Sequence, residues 1–83
     1  MDAQSTASSH TGMADYRRIL AENVKAARDL LDLSQEALAD EAKIDRTYIS
    51  GIERGKRNPS VDLLARLAEA LKTTPAALLT PRD

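Results

Sequence analysis

The spacing of helix-capping residues is the feature that most constrains the fold of this chain. Short runs with helical apolar spacing alternate with single residues that favour helix ends. After Leu33, a Ser, Asp or Thr precedes each new run, and these residues cap helix N-termini by accepting backbone N–H bonds. Pro75 follows the last of them, at the first helical position, where proline is well tolerated. The pattern predicts a second to a fifth helix that begin after Ser34, Asp45, Ser60 and Thr74.

A first helix is predicted upstream of these caps. Apolar residues recur at three- and four-residue steps from Tyr16 to Leu31, and Asp15 is a suitable N-cap. No stretch alternates with a period of two, which argues against a sheet, and the connections between the predicted helices are short. The expected fold class is therefore all-α, a compact five-helix domain.

The N-terminal segment lacks this periodicity. Residues 1–14 are rich in Ser and Thr, so we expect a disordered tail, although an alternative start at Met13 would also account for them. A chain of 83 residues has room for one domain, which we place at residues 15–83. The first residues lack the basic and apolar parts of a signal peptide, and no apolar run approaches about 18 residues. We therefore expect no membrane segment and a cytoplasmic location.

The composition argues against an enzyme. Cysteine is absent and His10 is the lone histidine, so a zinc site or a Ser/His/Asp triad is improbable. Carboxylates are plentiful, yet no nucleophile and base stand out together, so we expect no catalytic residue, no cofactor and no metal. Two aromatic residues are also too few to stack the bases of a single strand.

The distribution of charge is more informative than the net charge of −1. Residues 28–42 carry one cation and five anions, for a net −4, whereas residues 43–57 carry five cations and two anions, for a net +3. A locally basic segment can face phosphates even when the whole chain is slightly acidic.

The third predicted helix divides into two faces when its residues are placed at intervals of about 100°. One side is apolar except for Glu53, while the other holds short polar side chains, two guanidinium groups and a glycine. Such a face is suited to a major groove, although a solvated helix surface has the same composition. Its residues are Arg46, Thr47, Ser50, Gly51 and Arg54.

The segment around this helix resembles the Cro and phage-repressor type of helix-turn-helix regulator. The matching residues are LSQEALA at 33–39, Ile44, YISGIERG at 48–55, NPS at 58–60 and LLARLAEAL at 63–71. Within the family, DRTYISGIER at 45–54 is most similar to the controller proteins of restriction–modification systems, which are small dimeric regulators. The resemblance implies a repressor-like domain that binds double-stranded DNA as a homodimer on a near-palindromic operator.

The resemblance also implies roles for individual residues. Arg46, Thr47 and Gly51 match positions that face base edges, and Ser50 lies on the same face. Tyr48 matches a DNA contact, but its place on the wheel equally suits an aromatic at the core edge. Gln35 matches a residue that bonds a phosphate and braces the recognition helix. The expected contacts to the DNA backbone are Ser34, Gln35, Lys43, Arg54, Lys56, Arg57 and Asn58, of which Arg57 could also reach a base edge.

Two further pairs follow from the resemblance and the apolar pattern. Arg28 and Glu53 match a structural ion pair, and the wheel places Glu53 on the core side, where an unpaired carboxylate would be costly. Leu78 and Leu79 are the expected dimer contact. The family usually has glycine at the turn after the second helix and at the end of the fourth. This chain has Lys43 and Lys72 at these two positions. If the left-handed backbone persists, each lysine costs roughly 1 kcal/mol relative to glycine.

Two alternatives remain open at this point. The same fold could serve as an antitoxin-type module that binds a protein partner. Glu36, Asp40 and Glu41 on the second helix could contact RNA polymerase, or they could form an ordinary solvated face.

Overall fold

A computed structural model describes the backbone of residues 5–82 and the side chains of residues 16–82. Within that range the chain forms five helices and no strand, which confirms the predicted all-α class. None of the described helices is long and apolar enough to cross a membrane. The helices are α1 (Ser5–Leu30), α2 (Gln35–Ala42), α3 (Arg46–Glu53), α4 (Val61–Ala70) and α5 (Pro75–Leu78).

Helices α2 to α5 begin where the caps predict. The side-chain oxygens of Ser34, Ser60 and Thr74 accept the backbone N–H three residues further on, at 2.9, 3.1 and 3.1 Å. Asp45 accepts both the N–H of Thr47, at 3.0 Å, and its hydroxyl, at 2.9 Å. Because the first N–H groups of a helix have no partner within it, these bonds fix the starting points.

Helix α1 begins earlier than the apolar periodicity predicts. It extends back to Ser5, so Asp15 lies inside the helix and is not its N-cap. Helical backbone thus covers residues 5–14 of the segment expected to be disordered, while residues 1–4 lie outside the described residues. The segment contains no proline, and extending a formed helix costs far less than nucleating one. The domain boundary at residues 14 and 15 stays a prediction.

One apolar core lies between the helices. Helix α1 packs against α3 and α5, α2 packs against α3 and α4, and α4 packs against α5. Ile49 and Ile52 are 0% and 1% exposed, so the apolar side of α3 faces inward as the helix wheel predicts. Burying one such side chain contributes about 1.5–3 kcal/mol. The other fully buried side chains are Val24, Leu38, Leu67 and Leu78.

A buried amide joins α1 to α5. Asn23 is 7% exposed, and its Nδ2 donates to the carbonyls of Leu78 and Thr80, both at 2.8 Å, and more weakly to that of Ala77 at 3.4 Å. The last carbonyls of a helix lack partners within it, and Asn23 supplies one from 55 residues away. The sequence pattern did not identify this residue.

Each of the first four helices is followed by a residue with left-handed backbone. The φ angles are 58° at Asp32, 59° at Lys43, 73° at Gly55 and 59° at Lys72. After each of them, the next N–H bonds the carbonyl five residues back, at 2.9 Å in every case. This is the Schellman arrangement, which satisfies the free carbonyls of a helix end. The left-handed backbone therefore persists at both lysines, and Lys43 sets the turn between α2 and α3.

Replacing Lys43 by Gly is expected to raise the free energy of unfolding by about 1 kcal/mol, because glycine adopts left-handed backbone without a Cβ penalty. Thermal or urea unfolding measures the change. The matched variant Lys43→Ala removes the charge but keeps the β-carbon, so its stability should stay near that of the parent protein. An equal gain in Lys43→Ala would assign the effect to charge, and a loss in Lys43→Gly would mean that Lys43 makes a compensating contact.

Candidate nucleic-acid interface

The outward face of α3 carries the residues predicted to read bases. Arg46, Thr47 and Arg54 are exposed, and Ser50 is half-buried. The Thr47 hydroxyl donates to Asp45, and Arg54 Nη1 donates to Ser50 Oγ at 2.5 Å. Both hydroxyls are therefore oriented by nearby side chains before any ligand arrives.

The cap at the start of α3 depends on pH. The two bonds from Thr47, first the backbone N–H and then the hydroxyl, lower the pKa of the Asp45 carboxyl below its ordinary value. A carboxyl whose pKa is lower in the folded than in the unfolded state stabilises the fold at pH values above its unfolded-state pKa. The cap is therefore fully present at neutral pH and is lost as the pH falls through the folded-state pKa.

Gly51 lies on the outward side of the helix wheel but is buried. The Arg57 side chain covers it, and a β-carbon built on Gly51 would lie 2.6 Å from Arg57 Cγ. The guanidinium carbon of Arg57 lies 5.1 Å from the ring centroid of Tyr48, which is half-buried and packs against the core. The Tyr48 ring therefore borders both the core and the exposed face, and its contact to DNA stays a prediction.

An ion pair joins α3 to α1. Arg28 Nε and Nη2 donate to the two carboxylate oxygens of Glu53, at 2.7 and 3.0 Å, and the Arg28 Nη1 donates to the Leu33 carbonyl at 2.8 Å. The side chains are only 12% and 6% exposed. The hydrogen bond to Glu53 is the largest cause that raises the pKa of Arg28 above its ordinary value. The pair that the resemblance implied is present in the structure.

Gln35 extends this network to the outward face. Its Nε2 donates to Glu53 Oε1 at 3.0 Å, and its Oε1 accepts from Arg46 Nη1 at 3.4 Å. A chain of polar contacts therefore runs from Arg28 to the first residue of α3. This arrangement accounts for the bracing part of the role that the resemblance implied for Gln35, while the phosphate contact stays a prediction.

The residues expected to meet the DNA backbone lie at the ends of α2 and α3. Ser34 caps α2, Lys43 forms the turn, and Lys56, Arg57 and Asn58 follow α3. All five are exposed. Along the chain, Lys43 precedes α3 and Lys56, Arg57 and Asn58 follow it, and the contacts of all five residues to DNA stay predictions.

The expected dimer contact needs correction at Leu78. Leu78 is 2% exposed and belongs to the core of its own domain, so its side chain is not available to a partner. Leu79 is half-buried and lines a groove with Tyr16, Leu20 and Val61.

In the described part of the chain, no three His, Cys, Asp or Glu side chains are grouped so as to hold a metal ion.

The helix-turn-helix family model matches residues 24–78, a span that begins in α1 and ends with α5. The chain belongs to this family. It is 47% identical over 66 residues to control protein C.SmaI of Serratia marcescens, across 80% of this chain and 79% of that protein. These matches confirm the resemblance inferred from residues 33–71.

Solved structures agree with the sequence relatives. A hypothetical transcription factor from Neisseria has a TM-score of 0.78 at 37% identity, across 81% of this chain and 77% of that one. The restriction-modification controller protein C.AhdI from Aeromonas hydrophila has a TM-score of 0.70 at 38% identity, across 72% and 91%. The chain is a helix-turn-helix transcriptional regulator.

Breaking the buried ion pair from one side should destabilise the domain. We expect Glu53→Gln and Arg28→Met each to lower the free energy of unfolding by about 2 kcal/mol, because each leaves the other group buried without its charged partner. The double variant should lose less than the sum of the two, by at least about 1 kcal/mol. Urea denaturation of the four proteins measures this coupling.

The exposed pair of Lys25 and Asp29, at 3.2 Å and 59% exposed on both sides, is the matched control. Its cycle of Lys25→Met and Asp29→Asn should give a coupling of at most about 0.5 kcal/mol. Equal coupling in the two cycles would contradict a special role for the buried pair.

Proposed function

We propose that this regulator binds double-stranded DNA by placing the outward face of α3 in the major groove. The observation that carries the proposal is the network from Arg28 through Glu53 and Gln35 to Arg46, at distances of 2.7–3.4 Å. It fixes α3 to the body of the domain while leaving a guanidinium group exposed at the start of that helix. A helix held in this way can present arginine to the two acceptors of a guanine edge.

The proposed target is a near-palindromic operator that a homodimer recognises. Two-fold symmetry would place two copies of α3 about one helical turn of DNA apart. Tyr16 and Val61 are 52% and 78% exposed and line the groove with Leu79, and these apolar side chains favour a second copy as the occupant. The groove is also lined by Arg17, Arg57 and Asn58, so the proposed dimer contact adjoins the proposed DNA contacts. The resemblance to the controller proteins of restriction–modification systems, which are small dimeric regulators, supplies the rest of the argument.

We also propose that the regulated genes are those of a restriction–modification system. This assignment is supported by the names of the relatives, two of which are control proteins and one a restriction-modification controller protein. The side chains of Glu36, Asp40 and Glu41 are all exposed on α2, and their contact with RNA polymerase stays a prediction. A methyltransferase or endonuclease gene beside the gene for this chain would support the assignment. The proposed function also places the protein in the cytoplasm.

Sequence readout and DNA affinity should respond differently to two substitutions. Arg46→Ala should weaken binding to a duplex selected by the protein from a random pool far more than to a scrambled duplex. The expected loss of discrimination is about 1–3 kcal/mol at one base pair per half-site. Lys56→Ala should weaken binding to both duplexes alike and make the salt dependence shallower, by roughly one counterion for each phosphate that the variant no longer neutralises.

Titration of both variants on both duplexes at several salt concentrations measures these effects. An unchanged ratio of selected to scrambled affinity in Arg46→Ala would show that Arg46 contacts only phosphate. The proposed reading face would then be wrong.

The dimer can be tested at Val61. Val61→Lys should shift the protein from dimer to monomer in sedimentation experiments at micromolar concentration, because a charge would be placed in the proposed apolar contact. Its melting temperature should change little, since Val61 is 78% exposed. Leu30→Lys is the matched control, because Leu30, the last residue of α1, is 86% exposed and does not line the groove. A protein that is monomeric with and without a palindromic duplex would overturn the dimer.

A further inference from the structure

The Arg57 side chain lies across the recognition helix α3, although the residue remains exposed. The chain leaves α3 through the left-handed Gly55, with φ 73°. The N–H of Lys56 then bonds the Gly51 carbonyl at 2.9 Å, which turns the chain back toward the helix that it has just left. Arg57 is the next residue, so its side chain begins beside the outward face of α3.

Gly51 forms the surface on which Arg57 rests. A β-carbon at position 51 would lie 2.6 Å from Arg57 Cγ, 3.1 Å from its Nε and 3.4 Å from its Cδ. Real β-carbons essentially never approach another heavy atom to less than 3.0 Å, so any other residue at position 51 would displace the arginine.

The backbone does not require glycine at this position. Gly51 lies inside α3 and is not among the residues with positive φ. Glycine weakens the interior of a helix relative to alanine, so its presence here has a local cost. The close approach of Arg57 is the feature of the structure that explains it.

Tyr48 holds the other end of the same side chain. The guanidinium carbon of Arg57 is 5.1 Å from the ring centroid, within the range of about 6 Å for a cation–π contact. The ring is itself held, because Tyr48 is half-buried and packs against the core. Within the part of the chain that the structure describes, no carboxylate pairs with Arg57, so its charge is not neutralised inside the domain.

We propose that Gly51 and Tyr48 are positioning residues that hold Arg57 against α3, so that its guanidinium group is ordered before it contacts DNA. The inference rests on the proposed DNA-binding function and gives these two residues a role in it that acts through Arg57. A free arginine loses considerable rotamer entropy when it binds, and ordering it in advance reduces that loss. Glycine at position 51 thus exchanges some helix stability for affinity.

The decisive variant is Gly51→Ala, because it should weaken binding while the fold is retained. The nearest atom, Arg57 Cγ, is close to the loop backbone, so relieving the contact offsets part of the gain in helix propensity, and the melting temperature should stay within about 4 °C of that of the parent protein. Affinity for a duplex selected from a random pool should fall about tenfold, similar to the fall in Arg57→Ala. An unchanged affinity in Gly51→Ala would overturn the proposal.

The double variant separates positioning from direct contact. If Gly51 acts through Arg57, adding Gly51→Ala to Arg57→Ala should weaken binding by no more than about twofold. If the glycine instead admits DNA close to the helix backbone, the tenfold loss will recur in the Arg57→Ala background. That result would overturn the positioning role.

Nuclear magnetic resonance of the free protein tests the contact without DNA. The Tyr48 ring current should shift the Cγ and Cδ protons of Arg57, and the shift should vanish in Gly51→Ala and Tyr48→Leu but remain in Tyr48→Phe. Unshifted Arg57 protons in the parent protein would overturn the proposal. Failure of the protein to select any duplex would instead count against the proposed function, and the two failures are therefore distinguishable.

Discussion

The buried pair of Arg28 and Glu53 determines how the rest of the domain can present α3. Apolar contacts have no direction, so Ile49 and Ile52 ensure only that one side of the helix is buried. The two parallel hydrogen bonds, at 2.7 and 3.0 Å, add a fixed direction because a guanidinium group and a carboxylate share a plane. With Glu53 held in this way, the rotation of α3 about its axis is set, and so is the surface that it exposes.

The exposed surface of α3 is ordered by contacts with the two residues that cap this helix and with α2. Thr47 is bonded to Asp45, Ser50 to Arg54, and Arg46 is within reach of Gln35. These exposed bonds are weak enough to exchange for bonds to a ligand, because water competes for the same groups. They nevertheless limit the rotamers available beforehand. The face is therefore both accessible and already close to one arrangement.

Local chemistry explains which parts of the fold were predictable. Ser34, Asp45, Ser60 and Thr74 act on N–H groups within three residues, so the four caps and the helices that follow them could be read directly. Glu53 was also predictable, since the helix wheel places its carboxylate on the apolar side. The start of α1 was not, because residues 5–14 carry neither an apolar period nor a helix-breaking proline.

Predictions failed where distant residues decide the outcome. The partners of Asn23 lie more than 50 residues away, and nothing near Asn23 in the sequence indicates them. Leu78 is the last residue of a four-residue helix and Leu79 is its C-cap, and such a helix is too short for a period to show which of the two faces inward. Gly51 appears open on a helix wheel because the wheel omits Arg57, which covers it from the next loop.

The Asn23 amide also links the fold to the order of synthesis. Its acceptors are carbonyls of residues 77, 78 and 80, and Leu78 fills the core beside them. Until residues 77–80 have been synthesised, the Asn23 amide has no native acceptors and the core lacks the Leu78 side chain. The contacts that join α5 to α1 and α4 can therefore form only after the C-terminal end of α5 has been made.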